Sequence, residues 1–277
     1  MAGFRAAGVI GWPVAHSRSP LLHRYWLDRY RIEGAYLPLP VRPGDATAAL
    51  RGLAALGFAG CNVTVPHKQA ALALVDAPDD LARRIGAVNL VVVRPDFSLA
   101  GSNTDAAGFL DNLRERAPGW HAAAGAAVVL GAGGAARAVV AALTDAGVPA
   151  IRLLNRTRGH AEALAASLGG PVAVLDWERR AAALEGAALL VNTTVLGMHG
   201  QTPLDLDLAS LPRAAVVYDL VYVPLLTPLL AEARARGNPA VDGLGMLLHQ
   251  AVPSFAAWFG VRPEVTAELR ALIAATL

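Results

Sequence analysis

Lysine is all but missing from this sequence: of its 24 basic residues only Lys68 is lysine, and the rest are arginine. A chain this skewed uses arginine wherever a solvated positive charge suffices. Its one lysine therefore points to a task that guanidinium cannot perform, such as releasing a proton when desolvated; the bland alternative is a solvated residue left by chance. Cysteine is equally scarce. The single Cys61 excludes an intrachain disulfide and a multi-cysteine metal site, and it reads as a small buried apolar residue rather than a nucleophile. Charged residues make up only 17% and the mean hydropathy is +0.42. The longest uncharged run, 117–136, nevertheless holds Pro118, His121 and five glycines, which describes a turn-rich segment better than a membrane span. The N-terminal stretch lacks the long apolar region and cleavage site of a signal peptide, so the cytoplasm is the expected compartment. Basic blocks are also absent. A net charge of +2 from scattered arginines argues against nucleic acid and is compatible with a small anionic ligand.

What is present is apolar residue in quantity, 55% of 277 positions, enough for a large core divided between two domains. Asn62 and Thr64 alternate with Val63 and Val65 as in a short strand, and Pro66 stops the ladder, which puts Lys68 at a strand-to-helix turn. Before it, an apolar run at 7–10 is broken by Gly11-Trp12-Pro13. Ser17 and Ser19 then lead into a helix carrying Leu21, Leu22, Tyr25 and Trp26. One of these serines caps the helix, or both hold a carboxylate at its N-terminus. A strand over 35–41 and a helix over 44–56 follow. After Lys68 come helices at 70–75 and 81–85, a strand over 86–93 containing Asn89, a hairpin return at 97–100, and Asp105, which either caps the next helix or partners Lys68.

The second strong pattern is an apolar strand at 126–130 running into Gly131-Ala132-Gly133-Gly134-Ala135 and a long apolar helix. This is the order that dinucleotide binding requires, because glycines let a pyrophosphate approach the helix N-terminus. About 20 residues on, where an acidic residue would hold the ribose of NAD, stand Asn155-Arg156-Thr157-Arg158. With the carboxylate missing and guanidinium present, a 2′-phosphate is the better guest and NADP the expected cofactor. The alternation continues with helices at 160–168, 181–184 and 225–235 and strands at 150–154, 172–175, 188–192, 216–220 and 240–241. Thr193 and Thr194 follow the third of these at the end where open sheets bind ligands. The reading is an α/β protein: a doubly wound Rossmann-type NADP-binding domain at 106–240, and a mixed-sheet α/β domain at 1–105 completed by C-terminal helices at 241–277. His249 and Gln250 are polar positions in an apolar helix, either satisfied in the core or in contact with ligand.

Taken together, the ordered motifs Gly11-x-Pro13-x-x-His16-Ser17-x-Ser19-Pro20, Asn62-Val63-Thr64-x-Pro66-His67-Lys68, Ala87-Val88-Asn89, Asn103-Thr104-Asp105-x-x-Gly108, Gly131 to Ala135, Asn155-Arg156-Thr157, Asn192-Thr193-Thr194 with Gly197-Met198, Asp219-x-x-Tyr222 and Asp242-Gly243-x-x-Met246-Leu247-x-x-Gln250 resemble the shikimate dehydrogenase family over nearly the whole chain. The resemblance implies NADPH-dependent reduction of 3-dehydroshikimate to shikimate in aromatic amino-acid biosynthesis. It implies that Lys68 and Asp105 form the catalytic pair, and that Ser17 and Ser19 bind the substrate carboxylate with Tyr222 nearby. Asn62, Thr64, Asn89 and Gln250 would hold ring hydroxyls. Cofactor contacts would come from Gly131, Ala132, Gly133, Gly134, Ala135, Asn155, Arg156, Thr157, Arg158, Thr193 and Gly243. No metal is implied, and the partner is a small-molecule substrate in a monomer or homodimer. Leu90 and Val195 replace the family's usual threonine and serine, and His160 replaces a common basic residue. These departures leave room for a relative acting on quinate or an aminated shikimate, and a catalytically silent sensor of shikimate and NADP is the alternative from another class.

Overall fold

The apolar runs at the start of the chain become β1 (Arg5–Gly11) and β2 (Gly34–Pro40), which pair in parallel around the helix α1 (Ser19–Arg29). Residues 3–277 are described by a computed structural model. After α2 (Ala46–Ala55), β3 (Gly60–Val63) pairs in parallel with β1. Then follow α3 (Lys68–Leu74), a two-residue strand β4 (Ala77–Pro78), α4 (Asp80–Ile85), and the antiparallel pair β5 (Leu90–Val93) and β6 (Leu99–Ser102). The first sheet has the order β2-β1-β3-β5-β6-β4, and antiparallel pairing of β3 with β5 makes it mixed. The strand expected over 86–93 is shortened at its start because Gly86 (φ 77) is the left-handed cap that ends α4 and Asn89 turns its side chain to Thr104. Asp79 caps α4 at its other end by accepting from Ala82 N at 2.7 Å.

The second half opens with α5 (Asp105–Arg116) and then alternates β7 (Ala126–Leu130), α6 (Gly134–Asp145), β8 (Ile151–Leu154), α7 (Arg158–Leu168), β9 (Val172–Leu175), β10 (Ala187–Asn192), β11 (Val216–Asp219), α8 (Pro228–Arg236) and β12 (Ala240–Asp242). Its sheet, β12-β11-β10-β7-β8-β9, is parallel throughout. The order reverses between β7 and β10, the arrangement of a doubly wound dinucleotide-binding fold with its switch point at those two strands. Central strands buried on both faces read as continuous apolar runs, and Val128, Leu130, Leu190 and Val217 all lie in one core cluster. The helix expected over 181–184 is instead a three-residue 3-10 turn, Ala182–Leu184. Four residues ahead of Gly186 are too few to sustain an α-helical nucleus.

By packing, the chain forms two units, Met1–Thr104 with Gln250–Ala275, and Asp105–His249 with Thr276–Leu277. The second unit extends past the expected 240, because β12 pairs with β11 and Asn112 Nδ2 donates to Asp242 O at 2.9 Å. The division falls inside α9 (Leu244–Phe259), and α10 (Ala267–Ala274), with Thr266 as its N-cap, is the second of the helices expected over 241–277.

Candidate active site

In the first unit β1 and β3 run parallel in register, Ile10 beside Val63, so the segments that leave them emerge at one end of the sheet. Gly11 makes that junction possible: a Cβ there would lie 2.5 Å from Thr64 Cγ2. Thr64 itself is half-buried and its N–H donates to Ile10 O at 2.9 Å. Ser19 is the first residue of α1 and buried, and Ser17 Oγ accepts from Ser19 N at 3.3 Å. Ser17 thus makes the cap-like contact. Both hydroxyls stand at the N-terminal end of α1, where backbone N–H groups and the helix dipole favour a carboxylate. Lys68 opens α3 at the turn after β3, half-buried, with its carbonyl accepting from Val88 N at 2.9 Å. His67 beside it is buried and anchored to Val41 O at 2.7 Å.

Asn62 and Asn89 are held from several sides. Tyr36 Oη donates to Asn62 Oδ1 at 2.7 Å, while Asn62 Nδ2 donates to Asn89 O at 3.0 Å and Ser254 Oγ at 2.9 Å. Burial raises the Tyr36 hydroxyl well above its ordinary range, with a hydrogen bond from Ser19 pulling the other way. Asn89 Oδ1 accepts from Thr104 N at 2.8 Å, and Asn89 Nδ2 donates to Thr104 Oγ1 at 3.0 Å. Gln250 is half-buried in α9. Tyr36 and Ser254 did not stand out in the sequence, and Thr104 did so only as part of the motif around Asp105. The available signal was a lone hydroxyl in each of two apolar segments, β2 and α9. Cys61 is fully buried and burial pushes its thiol up, as expected of a packing residue.

In the second unit Asp105 is the first residue of α5 and 7% exposed. Gly131 has φ +106 and a Cβ there would meet Thr193 Oγ1 at 2.5 Å, whereas Cβ atoms at Gly133 and Gly134 would meet nothing within 4 Å. Open space therefore lies before the N-terminus of α6, whose cap residue Gly133 offers no side chain to the free N–H groups. Ala132 and Ala135 flank it, half-buried. Asn155 Nδ2 donates to Thr157 O at 2.8 Å and shapes the turn after β8. The two arginines of that turn differ. Arg158 is engaged by Glu162 at 2.7 Å and Asp176 at 2.5 Å, while Arg156 is exposed with no hydrogen bond or ion pair among the described residues. Thr193 Oγ1 donates to Leu130 O at 2.6 Å, joining the ends of β10 and β7 at the switch point. Gly243 packs so tightly that a Cβ would lie 2.0 Å from Leu220 O. Tyr222 is half-buried in the loop after β11. His249 pairs with Glu115 at 2.7 Å. Among the described residues no metal-binding cluster occurs and no helix is long and apolar enough to cross a membrane.

A doubly wound unit with an open helix N-terminus at its switch point, joined to a mixed-sheet unit lined by hydroxyls, amides and one lysine, defines an α/β oxidoreductase of the dinucleotide-binding class. Three family profiles match in order: the shikimate dehydrogenase substrate binding domain over residues 9–91, shikimate / quinate 5-dehydrogenase over 114–196, and the shikimate 5′-dehydrogenase C-terminal domain over 243–273. The chain is 65% identical to the shikimate dehydrogenase (NADP(+)) of Paramagnetospirillum magneticum, covering 97% of this chain and 98% of that one. Among solved structures, shikimate 5-dehydrogenase from Thermus thermophilus in complex with NADP(H) and shikimate has a TM-score of 0.88 at 37% identity, covering 99% and 100% of the two chains. Quinate dehydrogenase from Corynebacterium glutamicum in complex with NAD has 0.90 at 30%, covering 99% of each. The chain belongs to the shikimate dehydrogenase family.

Proposed function

We propose that this protein is an NADP-dependent dehydrogenase that reversibly reduces 3-dehydroshikimate to shikimate in the cytoplasm, a step of aromatic amino-acid biosynthesis. The observation that carries this reading is the 65% identity, over 97% of the chain, to a shikimate dehydrogenase (NADP(+)). The open N-terminus of α6 and the unengaged Arg156 suit a pyrophosphate and a 2′-phosphate. When bound, NADPH supplies hydride to the ring carbonyl carbon.

The chain's own residues do the rest. Lys68 gives a proton to the carbonyl oxygen and takes it back in the reverse direction, and Asp105 orients it. Ser17 and Ser19 hold the substrate carboxylate at the end of α1, with Tyr222 beside it, and Thr64, Asn89 and Gln250 meet ring hydroxyls. Asn62 has both amide hydrogens committed to Asn89 and Ser254, so it serves a ring hydroxyl only as an acceptor. Within the cofactor cradle, the backbone of Gly131, Gly133 and Gly134 leaves room for the pyrophosphate between Ala132 and Ala135. Asn155 and Thr157 shape the turn that presents Arg156, and Thr193 and Gly243 close the cradle. The test is the ratio of kcat/KM for shikimate and quinate with each nicotinamide cofactor. Shikimate with NADP should lead by orders of magnitude, and conversion of quinate with NAD alone would overturn the assignment.

A further inference from the structure

Asp219 ends β11 fully buried, a carboxylate of the second unit that the reaction above leaves without a task. Its surroundings are made of donors. Asn192 Nδ2 donates to Oδ1 at 2.9 Å, Val221 N donates to the same oxygen at 3.1 Å, and Thr227 Oγ1 donates to Oδ2 at 2.7 Å. Asn192 and Thr227 are themselves fully buried. Each donor belongs to a different structural part. Asn192 ends β10, and its Oδ1 accepts from Thr194 N at 3.0 Å and Thr194 Oγ1 at 2.7 Å while its Nδ2 also reaches Leu196 O at 3.1 Å. Val221 precedes Tyr222 in the loop after β11. Thr227 caps α8, its Oγ1 accepting from Leu230 N at 3.3 Å. A further bond, His199 N to Val223 O at 2.8 Å, joins the two loops directly.

We propose that Asp219 is a positioning residue whose carboxylate locks the loop carrying Thr193 and Thr194 and the loop carrying Tyr222 into one arrangement, and thereby sets the affinity for both cofactor and substrate. Three donors face the carboxylate, and this makes the acceptor-only ionised form the matching partner, since a neutral acid or amide would turn one hydrogen toward a group already donating. Burial works against that charge and pushes the Asp219 carboxyl up to about 6, so at neutral pH the charged form still prevails. An interaction of this kind, buried and unlike anything solvent could replace, belongs to a site where loop geometry matters more than fold stability.

This inference rests on the ligand roles of Thr193 and Tyr222 given above, and its test separates the two. Asp219→Asn and Thr227→Val are compared with the parent and with Thr227→Ser by hydrogen exchange, by calorimetric titration of NADP and of shikimate, and by kcat. In the first two variants, amides of 193–198 and 220–227 should exchange about tenfold faster while those of β10 hold. Both dissociation constants should rise about tenfold, with kcat within about threefold of the parent. Thr227→Ser should match the parent throughout. Parent-like exchange in both loops overturns the lock, and loosened loops with unchanged dissociation constants overturn its role in ligand affinity. A parent that binds both ligands yet turns over neither shikimate nor quinate overturns the proposed reaction alone, because exchange and titration still decide Asp219.

Discussion

Lys68 is where composition and chemistry meet most directly, and the substitution that tests it is the mildest in charge. Lys68→Arg keeps a cation at the start of α3 but removes the capacity to lose a proton. Turnover of shikimate should fall by about three orders of magnitude while its dissociation constant stays within about fivefold, since only a transition-state interaction is removed; equal losses in both would reduce Lys68 to a binding residue. The two arginines after β8 separate in a way composition could not foretell. Arg158 is engaged by Glu162 and Asp176, both on the surface, whereas Arg156 is unengaged. Arg156→Ala should therefore raise the NADP KM by about tenfold with the NAD KM unchanged, and Arg158→Ala should move it less. Steady-state kinetics with both cofactors decides the order. Lys68 and the glycine turn were legible because each depends on local sequence. The engagement of Arg158 was not, because Asp176 arrives from beyond β9.

At the level of elements, the turn between β7 and α6 shows what local sequence can and cannot carry. Apolar residues at 126–130 followed by glycines announce strand, turn and helix, and that is what forms. Yet the reason Gly131 must be glycine lies elsewhere in the chain: its φ of +106 and the 2.5 Å approach of Thr193 Oγ1 to its missing Cβ come from pairing β7 with β10. Gly131→Ala should cost about 1–3 kcal/mol of strain and displace Thr193. The expected outcome is a rise in NADP KM that exceeds any change in shikimate KM, read beside a urea midpoint lowered by the strain. Gly133→Ala meets no atom within 4 Å and should leave the urea midpoint unchanged while still raising the NADP KM. The same contrast explains the elements that sequence reading misjudged. The apolar run over 86–93 suggests one strand, but Gly86 is spent capping α4 and Asn89 is drawn to Thr104, contacts set by β6 and the residue that follows Asn103. Tyr36 and Ser254 escaped notice for the same reason, since they meet Asn62 only once β2 and α9 are packed.

Across the whole molecule, acid acts through groups that the fold has removed from water, and His23 is the extreme. It is fully buried, stacked at 3.9 Å on Tyr36 among Trp26, Phe255 and Trp258, and neither ring nitrogen has a hydrogen-bond partner among the described residues. Burial lowers it from 6.5 to about 3. The unfolded chain therefore takes up a proton at this position below pH 6.5 that the folded chain refuses until about 3, so stability is lost as pH falls through that window. The slope from one proton is about 1.4 kcal/mol per pH unit. Asp219 works in the opposite sense, because its raised value means the folded chain holds a proton near pH 6 that the unfolded chain has released. The overall acid profile of the parent is thus a difference of opposed terms, and only a comparison isolates His23. His23→Phe keeps an aromatic ring against Tyr36 and leaves Asp219 untouched. Relative to the parent, its urea unfolding free energy followed by tryptophan fluorescence should gain about 2 kcal/mol between pH 6.5 and pH 5. Parallel pH dependences in parent and variant would mean that the folded structure opens to admit the proton at His23, so that the aromatic enclosure does not exclude charge.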